Sequence, residues 1–289
     1  MRTALLFTIT AAALAVGCQQ DKQSPGWSKD GAAERPGASA SAPIPKDVEG
    51  RLARLEKKID KITGFLKQAV RPELDTKQTY AVPVETNDPI IGAKDAKVTI
   101  IEAYEFLCPY CSMIAPTMEQ LLAEYPNDVR IVVKYMVIHG PPAHPSGLAM
   151  CAAGRQGKAA EMQKAMWNTI WPAPGQPAVK EKATAEGVAE TAASVGLNVE
   201  QFKADMNGEC QAWLAQSGRT LQQFGAGGTP SFYINGKFVP AGDISAFKKI
   251  IDSEIKAVND SGIPAGQYYD KVVIAKGAKE AVMVSPFDE

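Results

Sequence analysis

Cys108 and Cys111 are separated by two residues, and this pair has the clearest capacity for chemistry in the sequence. Thiols at that spacing close a small disulfide ring only in a tight turn, such as the first turn of a helix. The β-branched, apolar run from Val98 to Tyr104 predicts a buried strand before the pair, and residues 112–125 predict a helix after it. Backbone N–H groups and the helix dipole would stabilise a thiolate there. We expect Cys108 to be the more exposed, nucleophilic thiol and Cys111 to be the resolving thiol.

A C-x-x-C pair is also compatible with half of a zinc site or with a structural disulfide. A second motif far downstream favours redox chemistry. Thr229-Pro230 opens a short apolar strand that ends in an Asn235-Gly236 hairpin signal. We expect a cis bond before Pro230, and we expect this dipeptide to lie beside Cys108 and offer client peptides a backbone edge.

The order of these segments (strand, Cys108-Pro109-Tyr110-Cys111, helix, long interval, Thr229-Pro230 and strand) resembles the thioredoxin superfamily, specifically its DsbA-like branch of extracytoplasmic disulfide oxidoreductases. The resemblance covers roughly residues 80–258. It implies an α/β thioredoxin fold over 78–258 with an all-helical insertion at about 145–224, and no cofactor. It also implies that the four residues of the C-x-x-C motif are catalytic and that Thr229 and Pro230 bind substrate.

The resemblance further implies that a buried acid assists proton transfer at the resolving cysteine. Glu102 stands at the matching position, six residues before Cys108. Period 2 places it on the same strand face as Tyr104, which predicts an inward carboxylate with a raised pKa. The alternative is a solvated edge glutamate.

Other polar residues near the motif receive simpler interpretations. We expect Glu105 to face solvent at the mouth of the motif, and His139 and His144 to be loop residues. Tyr110 fills the place where some relatives carry a histidine, so one donor to the Cys108 thiolate is missing. The sequence therefore predicts a milder oxidant than the most oxidising relatives.

Length and composition exclude some classes of protein. The 289 residues carry a formal net charge of −1, so no basic surface indicates a nucleic-acid partner. A hydrophobic content of 45% suffices for a packed core. The last residues, 259–289, form a C-terminal extension with candidate strands at 272–274 and 282–284, which the sequence does not place.

The N-terminus predicts export. Residues 1–17 combine a short positive start with an apolar run and match a signal peptide, and the run ends at Cys18 as in a bacterial lipobox. We expect Cys18 to carry lipid on the periplasmic face of a bacterial membrane. An ordinary secretory signal is the alternative, and either destination is oxidising. Residues 18–45, rich in Gln, Ser, Ala, Gly and Pro, predict a flexible linker.

Residues 46–71 predict an oligomerisation helix. Their apolar residues alternate four and three positions apart over about three heptads, as in the seam of a coiled coil: Val48, Leu52, Leu55, Ile59, Ile62, Leu66 and Ala69. We expect a parallel homo-oligomer, a trimer or a dimer. The alternative is one amphipathic helix that packs on its own domain.

The remaining cysteines, Cys151 and Cys210, lie in the predicted insertion. Lipidation of Cys18 leaves an even number of thiols, which predicts a structural disulfide between these two. Two buried unpaired thiols, or a zinc site that uses all four cysteines, are the alternatives. We expect no metal.

The motif and the oligomerisation helix together resemble the disulfide isomerases and the ScsC-type copper-tolerance proteins. This resemblance implies an isomerase or reductase that acts on client proteins and is recharged by a membrane redox partner. A monomeric dithiol oxidase is the alternative within the enzymes. A lipid-anchored module that binds Cu(I) through Cys108 and Cys111 is the alternative outside them, since soft thiolates suit that ion.

Overall fold

The structure is a computed structural model that describes residues 47–69, 73–173, 175–240 and 244–285. The predicted signal peptide, the lipidation site Cys18 and the 18–45 linker lie outside the described residues. The fold divides into two units, one ending at Lys61 and one beginning at Ile62. Within the described ranges, no helix is long and apolar enough to cross a membrane.

Helix α1 is a single helix of 22 residues, Val48–Ala69. Its apolar side chains are exposed, from 40% at Leu66 to 80% at Val48. Leu52, Leu55, Ile59 and Ile62 are each more than half exposed between these ends. The predicted seam therefore exists as an exposed apolar stripe, and Phe65, 70% exposed, widens it.

A mixed five-stranded sheet forms the centre of the second unit, in the order β2-β4-β3-β5-β6. Only β3 and β4 run parallel; the other neighbours pair antiparallel. The central strand β3 is buried along its whole length, which explains its continuous apolar sequence. The strands are Ile90–Gly92, Val98–Tyr104, Val129–Tyr135, Ser231–Ile234 and Lys237–Val239, for β2 to β6.

The helices cover both faces of this sheet. Helix α2, Pro109–Glu124, and helix α8, Ile244–Ser261, pack on the face that carries Ile100. Helix α7, Glu209–Gln223, and the C-terminal segment pack on the face that carries Ile101. The predicted helical insertion consists of α3 to α7, between β4 and β5. The helices are Pro109–Glu124, His144–Arg155, Ala159–Ile170, Ala185–Ser194, Val199–Asn207, Glu209–Gln223 and Ile244–Ser261, for α2 to α8, with short 3-10 turns at Pro141–Ala143 and Lys180–Ala183.

The hairpin after the Thr-Pro motif forms where the sequence predicted it. Asn235 and Gly236, between β5 and β6, both have positive φ, 43° and 81°. A Cβ on Gly236 would lie 2.5 Å from the carbonyl oxygen of Tyr80, so a side chain does not fit there.

The C-terminal extension is mostly helical in its first half. Helix α9, Ala265–Tyr268, continues into a π-helical segment, Tyr269–Ile274, so the strand predicted at 272–274 is wrong. Helical spacing brings both Tyr269 and Val273 onto the sheet, and the Tyr269 hydroxyl donates to the Val82 carbonyl at 2.7 Å. Strand β7, Met283–Val284, pairs with β1, Glu73–Leu74.

A disulfide joins Cys151 on α3 to Cys210 on α7, with Cα atoms 5.7 Å apart. Both residues are fully buried. The predicted pairing within the insertion is thus confirmed.

Candidate active site

The dithiol sits where β3 gives way to α2, as the sequence predicted. Cys108 is the N-cap of α2 in extended conformation, and Pro109 occupies the first turn, where its missing N–H costs nothing. The N–H of Cys108 donates to the Glu105 carbonyl at 3.1 Å, which closes the turn between strand and helix. Tyr110 points outward and is 69% exposed. The motif therefore presents its two thiols at the positive end of a 16-residue helix.

Exposure does not distinguish the two cysteines, which corrects a sequence prediction. Both are reduced and buried, Cys108 at 2% and Cys111 at 1%. The physical reason is that Cys108, as the helix cap, packs into the same core cluster as Cys111. Their positions relative to the helix end, rather than their access to water, must separate their roles.

The electrostatics do separate them. A hydrogen bond from the Cys111 thiol lowers the pKa of Cys108 to about 5, with smaller contributions from Thr229 and the backbone N–H groups of Tyr110 and Cys111, against the effect of burial. Burial, followed by the same bond to Cys108, raises the pKa of Cys111. Cys108 is therefore the thiolate at neutral pH, and Cys111 holds the shared proton.

The Thr-Pro motif lies beside the nucleophile. The Thr229–Pro230 peptide bond is cis, as predicted. Cys108 Sγ lies 3.4 Å from the Thr229 carbonyl oxygen, to which it donates a hydrogen bond only in its protonated form. The two motifs, 121 residues apart in sequence, thus form one site.

Glu102 is the buried acid of this site. It pairs in register with Val133 and Phe232, both apolar, and is 3% exposed. Burial raises the pKa of Glu102 to about 8. The predicted inward carboxylate and the direction of its pKa shift are confirmed, while its role in proton transfer stays a prediction.

Glu105 does not face solvent, contrary to the sequence prediction. Its side chain is fully buried and accepts from the backbone N–H groups of Ile138 and His139, the second at 3.0 Å, and contacts His139 Nδ1 at 2.7 Å. Strand β4 ends at Tyr135, so both N–H groups belong to the loop that follows the strand. Glu105 thereby ties the turn before the dithiol to the loop after β4.

Two aromatic residues that the sequence did not single out hold the same turn. The Tyr135 hydroxyl accepts from the Phe106 N–H at 3.1 Å, and Trp171 Nε1 donates to the Phe106 carbonyl at 2.7 Å. Neither carries a sequence signal of its own, since each lies in a segment explained by packing alone. Only Glu105, a lone charge in an apolar run, could have been recognised.

In the described part of the chain, no group of three or more His, Cys, Asp and Glu side chains is arranged to hold an ion. The disulfide at Cys151 and Cys210 engages two of the four cysteines that a zinc site would need.

The asymmetry of the dithiol predicts a specific alkylation profile. We expect iodoacetamide to modify Cys108 with a rate that rises through a midpoint at about pH 5 and is constant above it, because only the thiolate reacts. Cys111 should stay unmodified at neutral pH. Mass spectrometry of the reduced protein, quenched at a series of pH values, measures both rates.

A Thr229→Val variant tests the assigned cause of this profile. Removing the hydroxyl should move the Cys108 midpoint to higher pH, whereas Ser112→Ala, whose hydroxyl bonds the Pro109 carbonyl at 2.7 Å, should leave it in place. Equal alkylation rates for Cys108 and Cys111 would contradict the role assignment.

Comparison with known proteins agrees with this geometry. A family model described as thioredoxin matches residues 85–253, more than half of the chain. The crystal structure of a thioredoxin-like oxidoreductase from Silicibacter pomeroyi DSS-3 is 30% identical, with a TM-score of 0.50 over 60% of this chain and 94% of that one. The catalytic domain of Proteus mirabilis ScsC has the same fold, at 19% identity and a TM-score of 0.50 over 61% of this chain and 93% of that one.

Two curated relatives are similar over part of the chain. The thiol:disulfide interchange protein DsbA of Pseudomonas syringae pv. tomato is 24% identical over 180 residues, 61% of this chain and 78% of that protein. The Na(+)/H(+) antiporter NhaA of Herminiimonas arsenicoxydans is 31% identical over 154 residues, 52% of this chain, but the match spans 22% of the antiporter's own length. The chain therefore belongs to the thioredoxin family.

Proposed function

We propose that this protein is an extracytoplasmic disulfide isomerase or reductase that acts on client proteins through Cys108 and Cys111. In this proposal Cys18 carries lipid and holds the chain at the periplasmic face of a bacterial membrane, α1 joins several copies, and a membrane redox partner keeps the dithiol reduced. The observation that supports this chemistry is that the pKa of Cys108 is lowered whereas the pKa of Cys111 is raised.

The reaction follows from this difference in pKa between the two thiols. The Cys108 thiolate attacks one sulfur of a client disulfide, and the other client sulfur leaves as a thiolate. The Cys111 thiol then loses its proton and attacks Cys108 Sγ, which releases the client as a second thiolate and leaves a Cys108–Cys111 disulfide. If another client thiolate resolves the mixed disulfide first, the client is isomerised and the enzyme stays reduced.

The exposed stripe on α1 supports assembly. Seven exposed apolar side chains on one helix are costly in water and are typical of a surface that a partner covers. Their spacing of three and four residues favours a second copy of the same helix as that partner. Several active sites on one assembly would face a misfolded client together, which suits isomerisation.

A second function, dithiol oxidation, is favoured by the pKa of Cys108. A pKa of about 5 stabilises the reduced dithiol over the disulfide and so makes the disulfide a stronger oxidant. The value lies between about 7 for thioredoxin and about 3.5 for DsbA.

Loss of the α1 stripe should abolish assembly. We expect Leu55→Ser with Ile59→Ser to convert the oligomer to a monomer, because both changes remove apolar contacts from the seam. The dithiol should still be alkylated at Cys108, whereas refolding of scrambled ribonuclease should fall to about a tenth or less. Light scattering and the refolding rate give the two readouts.

The matched control is Lys57→Ser with Lys61→Ser, which introduces the same residues on the outward side of the same helix. It should keep both the oligomer and the refolding rate. A wild-type protein that is monomeric would contradict the role of the stripe and favour the oxidase. The oxidase would also be favoured if the monomeric variant oxidised reduced clients rapidly but did not refold clients with scrambled disulfides.

A further inference from the structure

Three buried side-chain atoms in the described ranges have no partner that meets full hydrogen-bond geometry: Glu102 Oε2, the Tyr104 hydroxyl and Thr229 Oγ1. Two of them still interact with a polar neighbour, the Tyr104 hydroxyl with the side chain of Gln163, and Thr229 with the two thiols, where it lowers the pKa of Cys108. All belong to residues that border the dithiol. Thr229 contacts Cys108 through its carbonyl, Tyr104 packs in the core cluster of both cysteines, and Glu102 lies two residues earlier on β3. Buried polar groups are nearly always partnered, so three exceptions at one site indicate a functional cause.

The Tyr104 hydroxyl is not needed for packing. Its ring contacts those of Phe106, Tyr135 and Trp167, with centroids 5.1, 5.7 and 5.5 Å away, and a phenylalanine would make the same contacts. The residue is fully buried, so its hydroxyl loses its hydrogen bonds to water and gains no hydrogen bond of full geometry in the protein. By contrast, the buried Tyr233 hydroxyl donates to the Phe224 carbonyl at 2.7 Å. The Tyr104 hydroxyl therefore contributes less to stability than a fully hydrogen-bonded hydroxyl such as that of Tyr233.

Tyr104 and Glu102 occupy adjacent positions on one face of β3. Residues two apart on a strand lie about 7 Å apart on the same side of the sheet. That side also carries Ile100, which packs against α2, the helix of Cys111. The titratable groups that act on Tyr104 are Glu102 on its own strand, Tyr135 on β4 and Cys111 on α2.

Among the described residues, the neutral side chain of Gln163 on α4 also acts on the Tyr104 hydroxyl, through a hydrogen bond that lowers the pKa of Tyr104 against the larger effect of burial. For Glu102, burial alone accounts for the raised pKa. Within the described part of the chain, no charged group lowers the pKa of Glu102. The Tyr104 hydroxyl, on the same strand face, is a donor that could stabilise its carboxylate.

We propose that Tyr104 is a positioning residue for proton transfer at Cys111, its hydroxyl donating a hydrogen bond to the Glu102 carboxylate when that group is ionised. The inference rests on the proposed function in one respect, that Cys111 is the resolving thiol. In the resolving step the Cys111 proton passes to the Glu102 carboxylate, Cys111 Sγ bonds to Cys108 Sγ, and the client sulfur leaves as a thiolate. In the reverse step the Glu102 carboxylic acid returns the proton to Cys111.

The hydroxyl would matter because the base is the minor form of Glu102. With a pKa of about 8, most of Glu102 is protonated at pH 7. A donor that stabilises the ionised form enlarges the fraction that can accept a proton, and in the reverse step it stabilises the carboxylate that remains. Tyr104 acts through Glu102 and need not touch a sulfur.

The test is a carbon NMR titration of the reduced protein labelled with ¹³C at the glutamate carboxyl carbons, with the Glu102 signal assigned by its loss in Glu102→Gln. Tyr104→Phe should raise the Glu102 midpoint by about one pH unit, a tenfold change in its ionisation constant. The melting temperature of this variant should be equal to or higher than that of the wild type. The resolving rate of a mixed disulfide at Cys108 should fall about tenfold at pH 7.

The matched control is Tyr233→Phe, on the opposite face of the sheet. It should melt lower, because it leaves the Phe224 carbonyl unpaired, and keep the Glu102 midpoint. An unchanged Glu102 midpoint in Tyr104→Phe overturns the inference. If the melting temperature of that variant is also lower, the hydroxyl has a structural role and stabilises the fold through its contact with Gln163. A shifted midpoint in a protein without exchange activity would support the proton coupling and refute the proposed function instead.

Discussion

Replacing Cys108 with serine is expected to abolish thiol–disulfide exchange, reducing insulin reduction and scrambled-ribonuclease refolding to the uncatalysed rate. The nucleophile is lost, and a serine hydroxyl is not ionised at any pH where the protein folds. Cys111 cannot replace it, because burial and the neighbouring sulfur raise the pKa of its thiol. Both assays, run at equal protein concentration, measure the loss.

Replacing Cys111 with serine is expected to give the opposite phenotype. Cys108 keeps its position at the helix N-terminus and still attacks client disulfides, but the resolving thiol is absent. Mixed disulfides should therefore accumulate and be visible as client adducts on non-reducing gels that disappear with reductant. The Cys108→Ser variant is the control that forms no adduct. Adducts that survive in Cys108→Ser, or turnover near the wild-type rate in Cys111→Ser, would reverse the two roles.

The Cys111→Ser variant also tests the cause assigned to the low pKa of Cys108. Its serine hydroxyl is a different donor from the thiol that lowers the pKa of Cys108 most strongly. Because the donor is exchanged, the alkylation midpoint of Cys108 should move away from the wild-type value of about 5. A midpoint that stays in place would assign the lowering to the helix N-terminus and Thr229 instead.

The sequence predicted those parts of the fold that local pattern determines. The boundaries of β3 are as predicted because every residue from Val98 to Tyr104 is buried, so no polar position interrupts the run. The Asn235-Gly236 turn was predictable because few residues tolerate positive φ. The dithiol and Thr229-Pro230 could be brought together only through the family resemblance, since nothing local joins segments 121 residues apart.

The errors in prediction arise where tertiary contacts override the local pattern. An isolated glutamate in an apolar turn was expected in water, yet the N–H groups of Ile138 and His139 bind the Glu105 carboxylate inside the protein. The segment 272–274 has β-branched residues, yet burial at helical spacing makes it part of a π-helix. The exposure of Cys108 depends on how the insertion packs over α2, which no motif encodes.

Loss of the Cys151–Cys210 disulfide should produce the largest change in stability. The bridge closes a loop of sequence separation 59, for which the chain-entropy relation gives about 4 kcal/mol of stabilisation. We expect the Cys151→Ala, Cys210→Ala variant to melt about 10 °C lower than the wild type, on the scale of a domain of this size. Alanine is preferred to serine because both positions are fully buried and a hydroxyl there would lack a partner.

The chemistry of the dithiol should survive this change, because the bridge lies between α3 and α7 and neither helix carries Cys108 or Cys111. Alkylation of Cys108 well below the melting temperature should keep its rate and its pH profile. As a second comparison, the bridge of the wild-type protein is opened with strong reductant and its opening is verified by mass. This reduced protein should have the same melting temperature as the variant. If the variant has the same melting temperature as the oxidised wild type, packing of the insertion rather than the cross-link holds α3 against α7.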